Sequence, residues 1–259
     1  MKGDDILGRI IAFSNQKGGV GKTTSVVNIA AALSKKGKKV LLIDMDSQGN
    51  ATSGVGISKK SVTASSYDLL SGEKSVSDTI IHTEFKNLDL IPSSIDLAGT
   101  DLDLADSENR NVILRGVLSD IKSGYDYILI DCPPSLGTLA INALCAADGV
   151  IIPMTCEYYS LEGLSQLMVT IREVKRLYNP SLDITGILIT MYDKRLTLAK
   201  QVLAEIEKYY SDKLFKTMIP RNIRIAESPS FGKPVIYFDK YSKGSFAYEK
   251  VAAEIVKRI

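Results

Sequence analysis

A short glycine-rich segment from Lys17 to Thr24 carries the residue types that bind phosphate groups. It reads Lys-Gly-Gly-Val-Gly-Lys-Thr-Thr, with the apolar run 10–13 before it and a helical pattern of apolar residues after it. Glycines let backbone N–H groups turn toward an anion, and the N-terminus of the next helix adds partial positive charge. Lys22 is placed for the outer phosphates and Thr23 for a magnesium ion. The other predicted nucleotide-binding members of this phosphate loop are Gly18, Gly19, Val20, Gly21 and Thr24.

One position departs from the common phosphate loop. Gln16 stands where that loop usually has glycine, and a second lysine, Lys17, comes directly after it. This lysine is either a solvated loop residue or a cation with a function of its own. The loop by itself leaves both interpretations open.

Two predicted strands end in aspartate, at Asp44 and at Asp131, and Asp46 lies two residues beyond the first of them. A carboxylate at a strand end beside a phosphate loop can hold magnesium, directly or through water. Asp131 follows four apolar residues in the Walker-B pattern, and Asp46 could orient the attacking water. The predicted metal-binding residues are therefore Thr23, Asp46 and Asp131.

Alternating strands and helices must position these residues. Apolar runs predict strands at 9–14, 39–44, 88–92, 127–131, 149–154, 184–191 and 215–219. Helical periodicity predicts helices at 21–36, 66–70, 77–81, 111–122, 139–147, 161–178, 196–210 and 247–259. This order is typical of an α/β fold with a single doubly wound, mostly parallel sheet and helices on both faces, the P-loop NTPase fold. We expect one domain over 1–259, since no linker or internal repeat divides the chain.

Composition narrows the class of protein. No run approaches the roughly 18 apolar residues of a membrane span, and residues 1–8 lack the apolar core of a signal peptide. The cysteines Cys132, Cys145 and Cys156 have no metal-site spacing, which favours reduced thiols in a cytosol. The single histidine, His82, lies in a polar stretch and is predicted to be a surface residue.

Positive charge is concentrated in the last quarter of the chain. The net charge is +2, yet residues 194–259 carry 14 Lys and Arg against 7 Asp and Glu. This surplus is either the solvated surface of exposed helices or a patch that binds a polyanion.

In combination, these motifs resemble the ParA/Soj chromosome-partitioning ATPases, a deviant Walker-A class of P-loop proteins. The similarity covers nearly the whole chain. It rests on Gln16 to Thr24, Asp44 to Gly54, Asp131 to Ser135, Glu157-Tyr158-Tyr159 and Ile219 to Arg224.

The resemblance implies roles for individual residues and two cofactors, ATP and Mg²⁺. Lys17 matches the signature lysine that reaches the partner's ATP in a homodimer with sandwiched nucleotide, and Gly18 would lie against the partner chain. Catalytic roles fall on Lys17, Lys22 and Asp46. The segment that frames adenine matches Pro220, Arg221 and Asn222.

The resemblance also gives the basic C-terminal part a function. ATP-bound dimers of this family bind double-stranded DNA without sequence preference, and a ParB-type centromere-binding protein stimulates a weak ATPase. The implied protein is cytoplasmic and nucleoid-associated, without stable membrane association. Only eight residues precede the first predicted strand, so a separate N-terminal helix-turn-helix domain is not expected. Two of the DNA-binding candidates match the family and three are chosen on charge: Arg195 and Arg224, then Lys200, Arg221 and Lys233.

Two other classes with the same loop remain as alternatives. A MinD-like membrane-recruited ATPase that positions cell division would need a C-terminal amphipathic helix, and residues 251–259 offer only a small apolar face. A relative of the nitrogenase iron protein would need cluster-ligand cysteines, whereas Cys132 and Cys145 lie in predicted core positions.

Overall fold

A computed structural model describes residues 8–259, so the expectation about a signal peptide lies almost entirely outside the described residues. Seven strands form one sheet in the order β3-β4-β2-β5-β1-β6-β7. Their bounds are β1 Arg9–Phe13, β2 Val40–Asp44, β3 Ile81–His82, β4 Leu88–Ile91, β5 Tyr127–Asp131, β6 Gly149–Thr155 and β7 Asp183–Thr190.

The sheet is parallel apart from its short edge strand. Strand β1 pairs with β5 and β6, and β5 pairs in turn with β2, all in parallel register. Only β3 runs antiparallel, against β4. Strands β2, β5 and β6 are buried along their whole length, because helices cover both faces of the sheet. The predicted doubly wound, mostly parallel sheet is confirmed.

Twelve α-helices accompany the sheet in the described residues. They are α1 Lys22–Lys35, α2 Asn50–Gly54, α3 Ser66–Ser71, α4 Val76–Thr79, α5 Thr100–Asp103, α6 Ile113–Ser119, α7 Thr138–Ala146, α8 Ser160–Leu177, α9 Thr197–Tyr210, α10 Ile223–Glu227, α11 Val235–Phe238 and α12 Lys243–Arg258. Short 3-10 turns lie at Lys59–Ser61, Ile95–Gly99, Lys122–Gly124 and Ser228–Phe231.

Two hydrophobic cores lie on opposite faces of the sheet. One core joins β-strand residues to the buried sides of α7, α8 and α9. The other packs α1 and α12 against the opposite face, with Phe13, Leu33 and Tyr248 among its largest buried side chains. Helix α1 is buried along most of its length, so the loop that precedes it is held in a fixed position.

The predicted strand at 215–219 is wrong. The backbone touches β7 only at its ends, where Phe215 N–H donates to the Ile187 carbonyl and Ile219 N–H donates to the Ile189 carbonyl. Between them, the Lys216 and Thr217 N–H groups donate to the Glu254 carboxylate, each at 2.9 Å. A side chain of α12 therefore replaces the ladder that a strand would have made.

The predicted helix at 111–122 is shorter than expected. The structure has α6 and a separate 3-10 turn in this part of the chain. In the first turn of α6, the Leu114 N–H donates to Asn142 Oδ1 of α7 at 3.1 Å. Within residues 8–259, no helix is long and apolar enough to cross a membrane.

Candidate nucleotide-binding site

The phosphate loop connects the end of β1 to the start of α1. Gly19 and Gly21 adopt positive φ angles of 72° and 80°, which a side chain would strain. The Thr190 hydroxyl at the end of β7 donates to the Val20 carbonyl at 2.7 Å. These features turn the loop around the N-terminus of α1, the arrangement that presents backbone N–H groups to an anion.

Lys22 is the first residue of α1 and is only 7% exposed. Its Nζ lies 3.4 Å from the Lys17 carbonyl oxygen, to which it donates across the loop. Burial lowers the pKa of Lys22, and the nearby carboxylates of Asp131 and Asp46 oppose that shift. The ammonium group therefore lies inside the loop, where it can meet phosphate oxygens.

Asp131 is the most exceptional ionisable group of the site. It ends β5, in register with Phe13 on one side and Asp44 on the other. The carboxylate is fully buried, and neither of its oxygens accepts a hydrogen bond. Burial raises its pKa well above the ordinary value, and the charge of Asp44 adds to the effect. Thr23 lies close enough to lower this pKa, although its hydroxyl is not aligned to donate to Asp131.

Asp44 is held differently from Asp131. Its Oδ2 accepts from the Thr52 N–H at 2.7 Å and from the Thr52 hydroxyl at 2.8 Å, while its Oδ1 accepts from the Asp46 N–H at 3.2 Å. Burial raises the pKa of Asp44 to about 6, and these hydrogen bonds limit the rise. The Thr52 contact was not predicted, because α2 is too short to leave a periodic signal. Asp46 itself is half-buried at the edge of the site.

The residues present fit a magnesium ion. An unpaired buried carboxylate is costly, and a cation would offset that cost. Mg²⁺ takes oxygen ligands and usually needs only one or two carboxylates beside phosphates and water. Residues 8–259 contain no cluster of three or more His, Cys, Asp or Glu side chains suited to a metal.

The Lys17 side chain is partly exposed, unlike that of Lys22. Its ammonium pairs with the Glu157 carboxylate, which belongs to the exposed segment between β6 and α8. The two side chains are 35% and 60% exposed. Glu157 was recognised as part of a motif, but its pairing with Lys17 joins residues 140 positions apart and left no signal in the sequence.

A cavity of about 300 Å³ adjoins the loop on the side of the predicted adenine segment. Gly21 and Thr24 line it together with Pro220, Arg221 and Asn222. Asn222 caps α10 through its Oδ1, which accepts from Arg224 N–H at 3.0 Å and from Ile225 N–H at 3.3 Å. The fold thus brings a segment 200 residues away in sequence next to the phosphate loop.

The candidate DNA-binding residues lie on two segments of the chain, 195–200 and 221–233. Arg195 is 84% exposed and pairs with Asp193, whose pKa falls to about 2 through the hydrogen bonds from Arg195 and, to a smaller extent, the charge of Arg221. Arg224 pairs with Glu227 and, at 3.3 Å, with Asp239.

The two segments begin close together, because an isolated parallel β-bridge joins Tyr192 to Pro220 just before them. The remaining candidates, Lys200 on α9 and Lys233 before α11, are exposed. Lys233 lines a second cavity, of about 440 Å³, together with Thr23 and Thr24.

The cysteines and the histidine are in the predicted environments. Cys132 and Cys145 are buried free thiols, and burial raises the pKa of each. His82 is exposed and pairs with Asp89. None of these side chains contributes to the site around the loop.

Sequence comparison finds relatives over nearly the full chain. The AAA domain family matches residues 8–184. The sporulation initiation inhibitor protein Soj of Bacillus subtilis is 53% identical over 96% of this chain and 98% of its own length. The chromosome partitioning protein ParA of Myxococcus xanthus is 48% identical over 97% of this chain and 89% of its own length.

Solved structures share the architecture, and two of them contain a bound ATP analogue or AMPPNP. Cobyrinic acid a,c-diamide synthase from Mycobacterium smegmatis, with an ATP analogue and magnesium, has a TM-score of 0.86 at 36% identity, over 96% of this chain and 94% of its own. A putative plasmid partition protein from Borrelia burgdorferi B31, bound to AMPPNP, has a TM-score of 0.83 at 33% identity, over 97% and 100%. The cell division ATPase MinD from Pyrococcus furiosus is more distant, at 0.79 and 28%, over 97% and 100%.

Proposed function

Because the chain belongs to the ParA/Soj family of chromosome-partitioning ATPases, we propose that it is an ATP-dependent dimerising switch for DNA segregation. In this proposal, ATP binding joins two copies, and the dimer binds double-stranded DNA without sequence preference. A ParB-type partner then stimulates hydrolysis and release. The whole chain, 1–259, acts as one ATPase domain.

ATP and Mg²⁺ are the cofactors of this switch, and the phosphate loop and Asp131 would hold them. Magnesium supplies charge neutralisation on the phosphate oxygens during hydrolysis. Lys22 contributes a buried cation to the phosphates, and Thr23 and Asp131 would supply oxygen ligands to the magnesium ion. Asp46, half-buried beyond β2, would orient the water that attacks the terminal phosphate.

The position of Lys17 is the observation that carries the proposal. A phosphate loop in a monomeric ATPase needs one lysine, and Lys22 already fills that place in the interior. The Lys17 ammonium lies at the surface beside Glu157 instead of facing its own loop. A surface cation next to the nucleotide site suits a contact with the nucleotide of a second copy, in the way that an arginine finger acts in trans.

The exposed arginines suit a polyanionic ligand. Arg195 and Arg224 are held by carboxylates in the described structure, so DNA phosphates would compete with Asp193 and Glu227 for them. Two such surfaces in one dimer roughly double the phosphates contacted, which makes the affinity depend on dimerisation and on salt. A nucleoid-associated protein in the cytoplasm, with weak hydrolysis until its partner and DNA stimulate it, is the cellular behaviour that we infer.

A MinD-like function is the alternative, and the packing of α12 argues against it. Its apolar residues Val251, Ala252 and Ile255 are buried against α1 rather than available to a lipid surface. A membrane-recruited relative needs an unpacked amphipathic helix.

Mixing two inactive variants tests whether Lys17 acts in trans. Lys17→Ala keeps its own Asp46 but supplies no lysine, whereas Asp46→Ala supplies Lys17 but cannot hydrolyse its own ATP. In a mixed dimer, one of the two sites has every group, so random pairing restores about a quarter of the parent hydrolysis. Turnover no greater than the sum of the separate variants would show that Lys17 acts within its own chain or not at all.

A further inference from the structure

A buried asparagine in α1 joins the phosphate loop to the segment that carries Lys233. Asn28 is only 2% exposed. Its Nδ2 donates to the Thr24 carbonyl at 2.7 Å, and its Oδ1 accepts from the Val235 backbone N–H at 2.6 Å. Since both ends of the amide are engaged, the side chain has one favoured arrangement.

The first end of this connection belongs to the nucleotide site. Thr24 closes the phosphate loop and lines both the 300 Å³ and the 440 Å³ cavities. Its carbonyl lies in the first turn of α1, the turn whose N–H groups would face the phosphates. Any adjustment of this turn on nucleotide binding therefore acts directly on Asn28.

The second end belongs to the basic surface. Val235 begins α11, two residues after Lys233, and its carbonyl accepts from the Ser245 hydroxyl at 3.0 Å. The Val235 N–H is buried, so without Asn28 it would be left unpaired inside the protein, at a considerable cost. The hydrogen bond from Val235 to Asn28 is therefore strongly favoured over any side-chain arrangement that leaves the Val235 N–H unpaired.

On the basis of the proposed function, we propose that Asn28 is a positioning residue that couples occupancy of the phosphate loop to the basic segment at Lys233. A rearrangement of the first turn of α1 moves the Thr24 carbonyl, Asn28 follows, and the N-terminus of α11 follows in turn. The segment that carries Lys233 then takes its DNA-binding position only when nucleotide fills the loop. This role gives a function to a polar residue that is buried in α1.

A proline at the far end of the connection tests it without touching the nucleotide site. Val235→Pro removes the N–H that donates to Asn28 Oδ1 and puts a proline ring carbon in its place, so it breaks the connection at its far end. The first position of a helix tolerates proline. Pro234, with φ −56° and ψ 146°, already has the extended conformation that a residue before proline adopts. Val235→Ala is the control for altered packing at this buried position, because it removes two methyl groups but keeps the N–H.

The measurement is DNA affinity with a non-hydrolysable ATP analogue and with ADP, together with the affinity for a fluorescent ATP analogue. The ratio of interest is the DNA affinity with the ATP analogue divided by the DNA affinity with ADP. We expect Val235→Pro to lower this ratio roughly threefold to tenfold, the effect expected from the loss of one buried hydrogen bond. Its nucleotide affinity and the ratio for Val235→Ala should stay near the parent values.

An unchanged ratio in Val235→Pro, an equal loss in Val235→Ala, or a parallel fall in nucleotide affinity would each overturn the coupling role. If the parent itself shows no ATP dependence of DNA binding, the proposed function fails instead. Asn28→Asp gives a second test should the proline variant not fold, because its carboxylate accepts from Val235 but cannot donate to Thr24. The same loss of the ratio is expected, and a parent-like ratio would refute the coupling.

Discussion

Replacing Asp131 with asparagine should stabilise the protein in the absence of nucleotide. Asp131 is buried with two oxygens that accept no hydrogen bond, and its pKa is raised mainly by burial. Because the folded pKa lies above that of an unfolded aspartate, the group's contribution to stability is complete below the unfolded pKa. It is lost as the pH rises through the folded pKa. Asp131→Asn keeps the shape of the side chain and removes this dependence.

The size of the effect follows from the burial. Removing an unpaired buried charge stabilises the folded state by several kcal/mol. The new amide also has no hydrogen-bond partners, and burying it reduces this gain by about 1 to 3 kcal/mol. We expect a net gain of about 2 kcal/mol at about pH 8, which raises Tm by about 4 °C for a chain of this size. Because the folded-state pKa of Asp131 is raised, the difference between the two proteins should shrink toward zero as the pH falls to about 4, the pKa of an unfolded aspartate.

Thermal unfolding followed by circular dichroism at the two pH values, with and without Mg²⁺ and ATP, measures this effect. The parent should gain stability from the ligands, whereas Asp131→Asn should lose most of that gain because a predicted magnesium ligand is missing. Asp106→Asn is the control, since it removes an equal charge from an exposed position. A lower Tm for Asp131→Asn at the higher pH without nucleotide would refute the reasoning, as would a ligand-induced shift equal to that of the parent.

Three further variants test single roles. Lys22→Ala should abolish nucleotide binding, because the buried cation of the loop is lost; normal ATP affinity in a binding titration would remove Lys22 from the site. Asp46→Ala should bind ATP and remain dimeric by size-exclusion chromatography while phosphate release falls by roughly 100-fold or more; parent-like turnover would contradict its role. Arg195→Glu should keep ATP-dependent dimerisation and lose DNA binding, whereas a DNA affinity equal to that of the parent at low salt would show that the patch is misplaced.

Much of the fold was predictable because its strands are long, apolar and bounded by turn residues. The strand at 127–131 is found with the predicted ends. The predicted helix 161–178 differs from α8 by one residue at each end, and the predicted helix 196–210 differs from α9 by one residue at its start. These segments bury a continuous or periodic apolar surface, which is the signal that a sequence carries most clearly. The segment 215–219 contains the apolar residues Phe215, Met218 and Ile219, but its backbone donates hydrogen bonds to the Glu254 carboxylate. A contact between residues so far apart has no local signature.

The candidate site also has some residues that motifs predict and others that they do not. The residues of the phosphate loop, Asp131 and the segment 220–222 could be named from motifs, and the fold places Gly21 and Thr24 of the loop beside the segment 220–222. The side chains that hold them in place could not be predicted: Thr52 on Asp44, Glu157 on Lys17 and Asn28 between Thr24 and Val235. The contacts from Glu157 to Lys17 and from Val235 to Asn28 join segments that only the fold brings together, and spacing along the chain does not record that order.

DNA binding by the purified protein with ATP, with ADP and without nucleotide, at two salt concentrations, tests the central claim most directly. An ATP-dependent dimer that contacts phosphates should bind unrelated DNA duplexes only with ATP, and its affinity should fall steeply between about 50 and 200 mM salt. Equal binding in all three nucleotide states, or binding to anionic liposomes with none to DNA, would contradict the account.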